Sequence, residues 1–184
     1  MRVRLGAAVG EFAVRLAMRF CLALLLLLVG AVASAAGGRA YRNDALKVRF
    51  EAPVGWEALG AGNYPRLLAA YEDRDGGRMT LVGQKVAVGT TARALVEESR
   101  AALLRQGFRN VVVVVDKEDA TRMRLEAEIG GGREIVRQLY AVTEGTGFVV
   151  TVAGPMLKGP QLKRDFEDAA TSLVLGDAPA VQAR

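Results

Sequence analysis

The polar–apolar pattern changes period several times along the chain, and each change marks an element. Lys47-Val48-Arg49-Phe50-Glu51-Ala52 alternates charged and apolar residues, the period-two pattern of a half-buried strand. Pro53-Val54-Gly55-Trp56 reads as a turn that carries an aromatic ring back onto the core, and residues 57–65, with Gly60, Gly62, Asn63 and Pro65, read as loop. Leu67 to Glu72 and Met79 to Val88 read as two strands of a hairpin around the turn Asp73-Arg74-Asp75-Gly76-Gly77. The period then becomes helical. Thr90/Thr91 cap a helix running to about Gln106, with Leu95, Val96, Ala102 and Leu103 on one face and Gly107 as its stop.

The second half returns to strands. Val111 to Val115 is all valine, which predicts a strand covered on both faces. A polar turn, Asp116 to Asp119, follows. From residue 121 to 153 a three-stranded meander is expected. Met123, Leu125, Ala127 and Ile129 alternate with Arg122, Arg124, Glu126 and Glu128, and Gly130-Gly131-Gly132 turns the chain. Arg133 to Thr143 returns, Gly145-Thr146 forms a two-residue II′ turn, and Phe148 to Ala153 completes the meander. These turns set Leu125 opposite Arg137, Leu139 opposite Val152 and Ala141 opposite Val150. Pro160 opens a last helix with the apolar stripe Leu162, Phe166, Ala169, Ala170 and Leu173. The sum is an α+β domain: an antiparallel sheet of about six or seven strands covered by helices.

Ahead of this domain lies a different pattern. Residues 19–36, RFCLALLLLLVGAVASAA, join an arginine, an apolar run from Phe20 to about Val32 and a small-residue patch with Ala33 and Ala35 around Ser34. That is the make-up of a secretory signal peptide cleaved after Ala35. The run is shorter than the roughly 20 residues a membrane-spanning helix needs. Cys21 stands at its start and not at its end, so a lipoprotein motif is not formed. Met18 opens a compact signal peptide by itself, which makes it a candidate start. The expected division is 1–35 signal peptide, 36–43 linker, 44–175 a single domain and 176–184 a disordered tail. The expected address is the periplasm or the exterior, or the periplasmic face of the inner membrane if the leader stays.

Composition matters chiefly once that leader is set aside. Arg2, Arg4, Arg15 and Arg19 leave with it against Glu11 alone, so the 25 basic and 20 acidic residues of the full chain become 21 and 19 in the remaining 149. The basic character belongs mostly to the leader and gives no argument for nucleic-acid binding. The remaining 149 residues contain no cysteine and no histidine. That excludes disulfides, thiolate nucleophiles, Cys/His zinc sites and histidine general bases in the mature chain. Only Ser99 and Ser172 remain as serines, both in helical segments, so no Ser-His-Asp apparatus can be built.

Three features fall in a telling order: Phe50-x-x-Pro53-x-Gly55-Trp56; Gln138-x-Tyr140 followed by Gly147-Phe148-Val149-Val150-Thr151; and a C-terminal helix with Phe166 and then Ser172-Leu173. Over roughly residues 41–175 this order resembles the PsbP-like superfamily, which includes many small exported bacterial proteins. The resemblance implies an α/β/α sandwich that works as a binding or assembly module without catalysis. The superfamily has no shared active site, so it supplies no functional residue. The metal-associated histidines of its photosynthetic members have no counterpart here.

The remaining candidates each have a functional and a plain reading. Glu72, Asp73 and Asp75 around Gly76 suggest a calcium loop, but Gly77 and Gln84 stand where further ligands are needed, so a solvated hairpin turn is expected. Asp116, Glu118 and Asp119 read the same way. Arg137, among apolar residues, could hold an anionic ligand, or lie at the sheet edge with its stem packed and its head in water. The row containing Arg122 and Arg124 could be a partner surface or the wet face of a strand. Trp56 could stack on a ligand or plug the core. Gly130-Gly131-Gly132 opens no helix and so cradles no phosphate. The expected function is an exported, non-catalytic accessory or binding module of the cell envelope. Its partner would be an envelope protein or a small ligand, with no cofactor, no metal and no nucleic acid, and with Arg137, Trp56, Arg122 and Arg124 as the contact candidates. The alternatives are a carboxylate-dependent envelope hydrolase and a membrane-anchored assembly factor that keeps its leader.

Overall fold

The computed structural model describes residues 39–60, 64–114, 122–129 and 132–176. The leader with Cys21 and Met18, the Asp116–Asp119 turn, Gly130-Gly131 and the tail from residue 177 lie outside the described residues. Among the described residues ten strands and two longer helices follow in order: β1 (Ala40–Asn43), β2 (Val48–Glu51), β3 (Glu57–Leu59), β4 (Leu67–Glu72), β5 (Arg78–Lys85), α1 (Ala92–Arg105), β6 (Arg109–Val114), β7 (Arg122–Ile129), β8 (Glu134–Thr143), β9 (Thr146–Pro155), a 3₁₀ turn (Met156–Lys158), α2 (Gly159–Ser172) and β10 (Val174–Leu175). Seven strands form one antiparallel sheet in the order β3-β4-β5-β9-β8-β7-β6, and β1-β2-β10 form a second, small one. No helix among the described residues is long and apolar enough to cross a membrane.

The alternation within each strand decides which layer it meets. Met79 and Leu81 of β5, Phe148, Val150 and Val152 of β9, and Leu139 of β8 point to one face, where they form a core with Phe50 and Trp56 of the small-sheet region and Phe166 of α2. Met123, Leu125 and Ala127 of β7, Tyr140 of β8 and Val149 of β9 point to the other face and pack under Leu95, Val96 and Leu103 of α1. The molecule is therefore layered: α2 with the small sheet, then the seven-stranded sheet, then α1. Thr91 caps α1 by accepting from the Ala94 N–H, satisfying one of the donors a helix start leaves open. In α2, Gly159 and Pro160 fill the first positions.

Several local expectations change. Ala40–Asn43, expected as linker, pairs with β2, and Glu57–Leu59, expected as loop, is the edge strand β3. The β8–β9 turn is Glu144-Gly145, not Gly145-Thr146. Both residues have positive φ, 46° and 73°, and Thr143 pairs with Thr146. Two positive φ values define a I′ turn, whereas II′ needs only the first. Leu139 therefore faces Val150 and Ala141 faces Phe148. This shift of two residues leaves every side chain on its expected face.

The β7–β8 register differs by one, with consequences. Leu125 pairs with Gln138, and Arg137 pairs with Glu126. A one-residue slip reverses faces, so Arg137 lies opposite an acid, on the side away from Leu125. The valine strand β6 is also corrected. It is the outer edge of the sheet, with Val111 and Val113 packed toward α1 while Val112 and Val114 are exposed. Among the described residues this edge strand has helical cover on the α1 side only.

Candidate functional site

Arg122, Arg124, Arg137 and Trp56 all lie on the α2 side of the large sheet, and each makes a polar contact with α2 or with Leu173 just beyond it. Arg122 and Arg124 alternate with the buried Met123 and Leu125, so their side chains emerge on that face. Two nitrogens of the Arg122 guanidinium donate to the backbone oxygens of Ala170 (3.3 Å) and Leu173 (2.9 Å) at the C-terminal end of α2. A cation at that end also meets the negative pole of the helix dipole. Arg124 donates to both carboxylate oxygens of Glu167, at 2.7 and 2.6 Å, and lies over the Phe166 ring with 5.8 Å to its centroid.

At the other end of α2, Arg137 is 7% exposed. Its Nε donates to Glu126 Oε1 at 3.1 Å and its Nη1 to the Gly159 carbonyl at 3.4 Å. The edge position with a hydrated head is thus overturned. Strand β8 is interior to the sheet, and the start of α2 overhangs it. Glu126, directly opposite on β7, supplies the counter-charge that a buried guanidinium needs. The charged row of β7 is likewise more than a wet face: Arg122 and Arg124 reach across to α2 and Glu126 pairs with Arg137, although the helix itself packs mainly over β9 and β8.

Trp56 is 3% exposed and belongs to the core on this side. Its indole N–H donates to the carboxylate of Asp165 on α2, which also accepts from Gln161 Nε2 at 2.8 Å. The ring has no open face for stacking on a ligand from solvent. Asp165 is a residue the sequence did not single out. It falls within the stripe of α2 that includes Leu162, Phe166 and Ala169, one step before Phe166, and that position was its only signal.

Burial pushes the Asp165 carboxyl above its ordinary value; the donors Gln161 and Trp56 oppose that shift, and the nearby charges of Asp73 and Asp168 add to it. Burial also pushes the Tyr71 phenol up to about 12. A carboxyl whose folded-state value is raised favours the folded state when protonated, and that contribution is lost as pH rises through the raised value. The Asp165→Asn variant keeps an acceptor for the two donors and lacks the titration. Urea unfolding from pH 4 to pH 7 is expected to show the variant gaining stability relative to wild type as pH rises. A constant difference across that range would mean that Asp165 ionises as it does in the unfolded chain.

The Asp73–Gly77 loop settles as a turn. Asp73 Oδ1 accepts from the backbone N–H groups of Asp75 (2.9 Å) and Gly77 (2.6 Å). A side chain on Gly77 would collide with that carboxylate, its Cβ falling 2.5 Å from Asp73 Oδ2. Asp75 pairs with Lys158. These carboxylates already serve the hairpin itself. Among the described residues no group of three or more acidic, cysteine or histidine side chains is placed to hold a metal ion.

No family model matches the sequence. No curated protein is similar to it at a significant level. The fold itself is PsbP-like. The solution structure of cyanobacterial PsbP (CyanoP) from Synechocystis sp. PCC 6803 superposes with a TM-score of 0.52 at 14% identity, over 80% of this chain and 99% of that one. Two other solved structures fall slightly lower. A protein from Bacteroides thetaiotaomicron gives 0.49 at 12% identity over 76% of this chain and 49% of that one. LpqN, described as involved in cell envelope biogenesis of Mycobacterium tuberculosis, gives 0.49 at 11% identity, over 71% and 83%.

Proposed function

We propose that the chain is an exported accessory module of the cell envelope that acts by binding, through protein–protein or small-ligand contacts, and not by catalysis. The observation that carries this reading is the engagement of the candidate side chains. Arg122, Arg124, Arg137, Trp56 and Asp165 are all tied into the seat of α2. What the described residues present outward instead includes isolated apolar side chains, Val54 and Leu157 at 84% and 98% exposure and the two valines of β6. Of these, Val112 and Val114 stand side by side on one strand, and adjoining apolar groups left in water suit contact with another molecule. The PsbP-like fold supports a module of this kind, and residues 19–36 support export.

Two measurements on the protein recovered from envelope fractions test the proposal together. Its intact mass is expected to begin at Ala36; a mass beginning at Met1 or Met18 would overturn the cleaved leader and leave the anchored form. Crosslinking in envelope extracts is expected to enrich the same partner reproducibly over a control exported protein of similar size. If nothing is enriched, and no small molecule co-purifies by native mass spectrometry, the binding role fails.

A further inference from the structure

A buried donor that finds no acceptor inside the protein is costly, and native interiors leave few of them. Gln84 on β5 carries one. It is 7% exposed, and its amide Nε2 has no hydrogen-bond partner. Its Oε1 accepts from Arg66 Nη1 at 3.1 Å. That contact fixes the orientation of the amide, because turning it over would press the –NH₂ group against the guanidinium. Arg66, just before β4, is partly buried and has no carboxylate partner among the described residues. A cation and an amide –NH₂ therefore stand side by side, joined through the amide oxygen. Both still have hydrogens to donate, since a guanidinium offers five N–H groups and Gln84 occupies one.

The surroundings decide what kind of acceptor fits. Met79 and Leu81 point to the α2 side of β5, so Gln84 points to the α1 side with Val82. Val82 is 6% exposed, and Leu67 of β4 lies opposite it. Gly147, opposite Gln84 on β9, adds no side chain. Leu95 of α1 and Val86 close that side, since a Cβ on Gly147 would fall 3.0 Å from Leu95 Cδ1 and 3.1 Å from Val86 Cγ1. The residues around the Gln84 donor on this face thus include Leu67, Val82, Val86 and Leu95, all apolar. An acceptor that answers a guanidinium carries negative charge, and a planar carboxylate matches its N–H groups. The apolar neighbours suit a short alkyl chain. A neutral carbonyl would leave the Arg66 charge unanswered, and an inorganic oxyanion has no alkyl part to set against them.

We propose that Arg66 and Gln84 form a binding site for a small aliphatic monocarboxylate, one oxygen meeting the guanidinium and the other the Gln84 amide. The proposal rests on the binding reading above in its small-ligand form, and it names the ligand class. The test is a titration of isotope-labelled protein, recovered from the envelope, with sodium butyrate at constant ionic strength. The Gln84 side-chain –NH₂ signals are expected to move and to saturate with a Kd of about 1 mM, in keeping with so small a ligand. Butylammonium should leave them in place, and butyramide should bind at least about tenfold more weakly. Gln84→Met and Arg66→Met keep much of the side-chain volume and remove the donors. Each should weaken butyrate binding about tenfold or more, read from the Val82 and Leu95 methyl signals. Arg66→Met, at the more exposed of the two positions, carries the test if Gln84→Met does not fold. Amide signals that stay in place up to about 50 mM butyrate, with water as the sole contact of the –NH₂ group, overturn the proposal. Butyramide binding as tightly as butyrate overturns it as well, as does binding that the methionine variants retain. None of these results touches the crosslinking test of the binding role, so the two readings fail separately.

Discussion

Glu126→Ala is expected to lower the unfolding free energy by about 2 to 3 kcal/mol, more than its half-exposed position suggests. The cost arises on the neighbouring strand. Arg137 is nearly fully buried, and Glu126 is its ion-pair partner at 3.1 Å. With the acid gone, a guanidinium remains in the core with the Gly159 carbonyl as a remaining acceptor. Arg137→Met fills similar volume without a charge and leaves Glu126 free to hydrate. Its expected cost is smaller, about 1 kcal/mol. Urea unfolding of the two variants checks the ordering. If Arg137→Met is the more costly, the charge at 137 is a net asset to stability and the burial argument is wrong.

Phe166→Ala is expected to cost more, about 3 to 5 kcal/mol. The ring is 2% exposed in the middle of the apolar stripe of α2, and it also supports the Arg124 guanidinium. Domains of this size are stable by only about 5 to 15 kcal/mol, so the variant should unfold at a much lower denaturant concentration. Trp56, the sole tryptophan, is held against the same helix by Asp165. Its emission should therefore shift toward the solvated value at denaturant levels where wild type is unchanged. A double-mutant cycle with Arg124→Ala should return a coupling of about 0.5 to 1 kcal/mol for the ring–guanidinium contact. A loss below about 1 kcal/mol for the single variant would mean that the helix is not seated as described.

The elements were legible because their periods are clean. Leu95, Val96, Ala102 and Leu103 mark the buried face of α1, and Leu162, Phe166, Ala169 and Ala170 that of α2. The antiparallel meander follows from alternation and turns, and the PsbP-like architecture from the order of elements. What was hidden is register and edge order. Alternation fixes which residues share a face within a strand and leaves open which residue lies opposite. A slip of one between β7 and β8 therefore concealed the Arg137–Glu126 pair. The run Val111–Val115 carries no period at all, so nothing in it distinguishes an interior strand from an edge. The framework role of Arg122, Arg124 and Arg137 was hidden for a related reason. A charged row on a strand looks the same beneath water as beneath a helix that supplies Glu167 and free carbonyls.

The small sheet joins the two ends of the described chain. Strand β2 lies between β1, near the start, and β10, at the end, and the hydroxyl of Ser172 bonds both backbone groups of Glu51. A chain that leaves the ribosome N-terminus first delivers α2 and β10 after every other described element. Until then β2 lacks one neighbour, and one side of the large sheet lacks its helix. Closure thus waits for the last of the described elements. Until α2 and β10 are in place, one edge of β2 and one face of the large sheet stay uncovered, so the first half of the domain depends for its packing on the second.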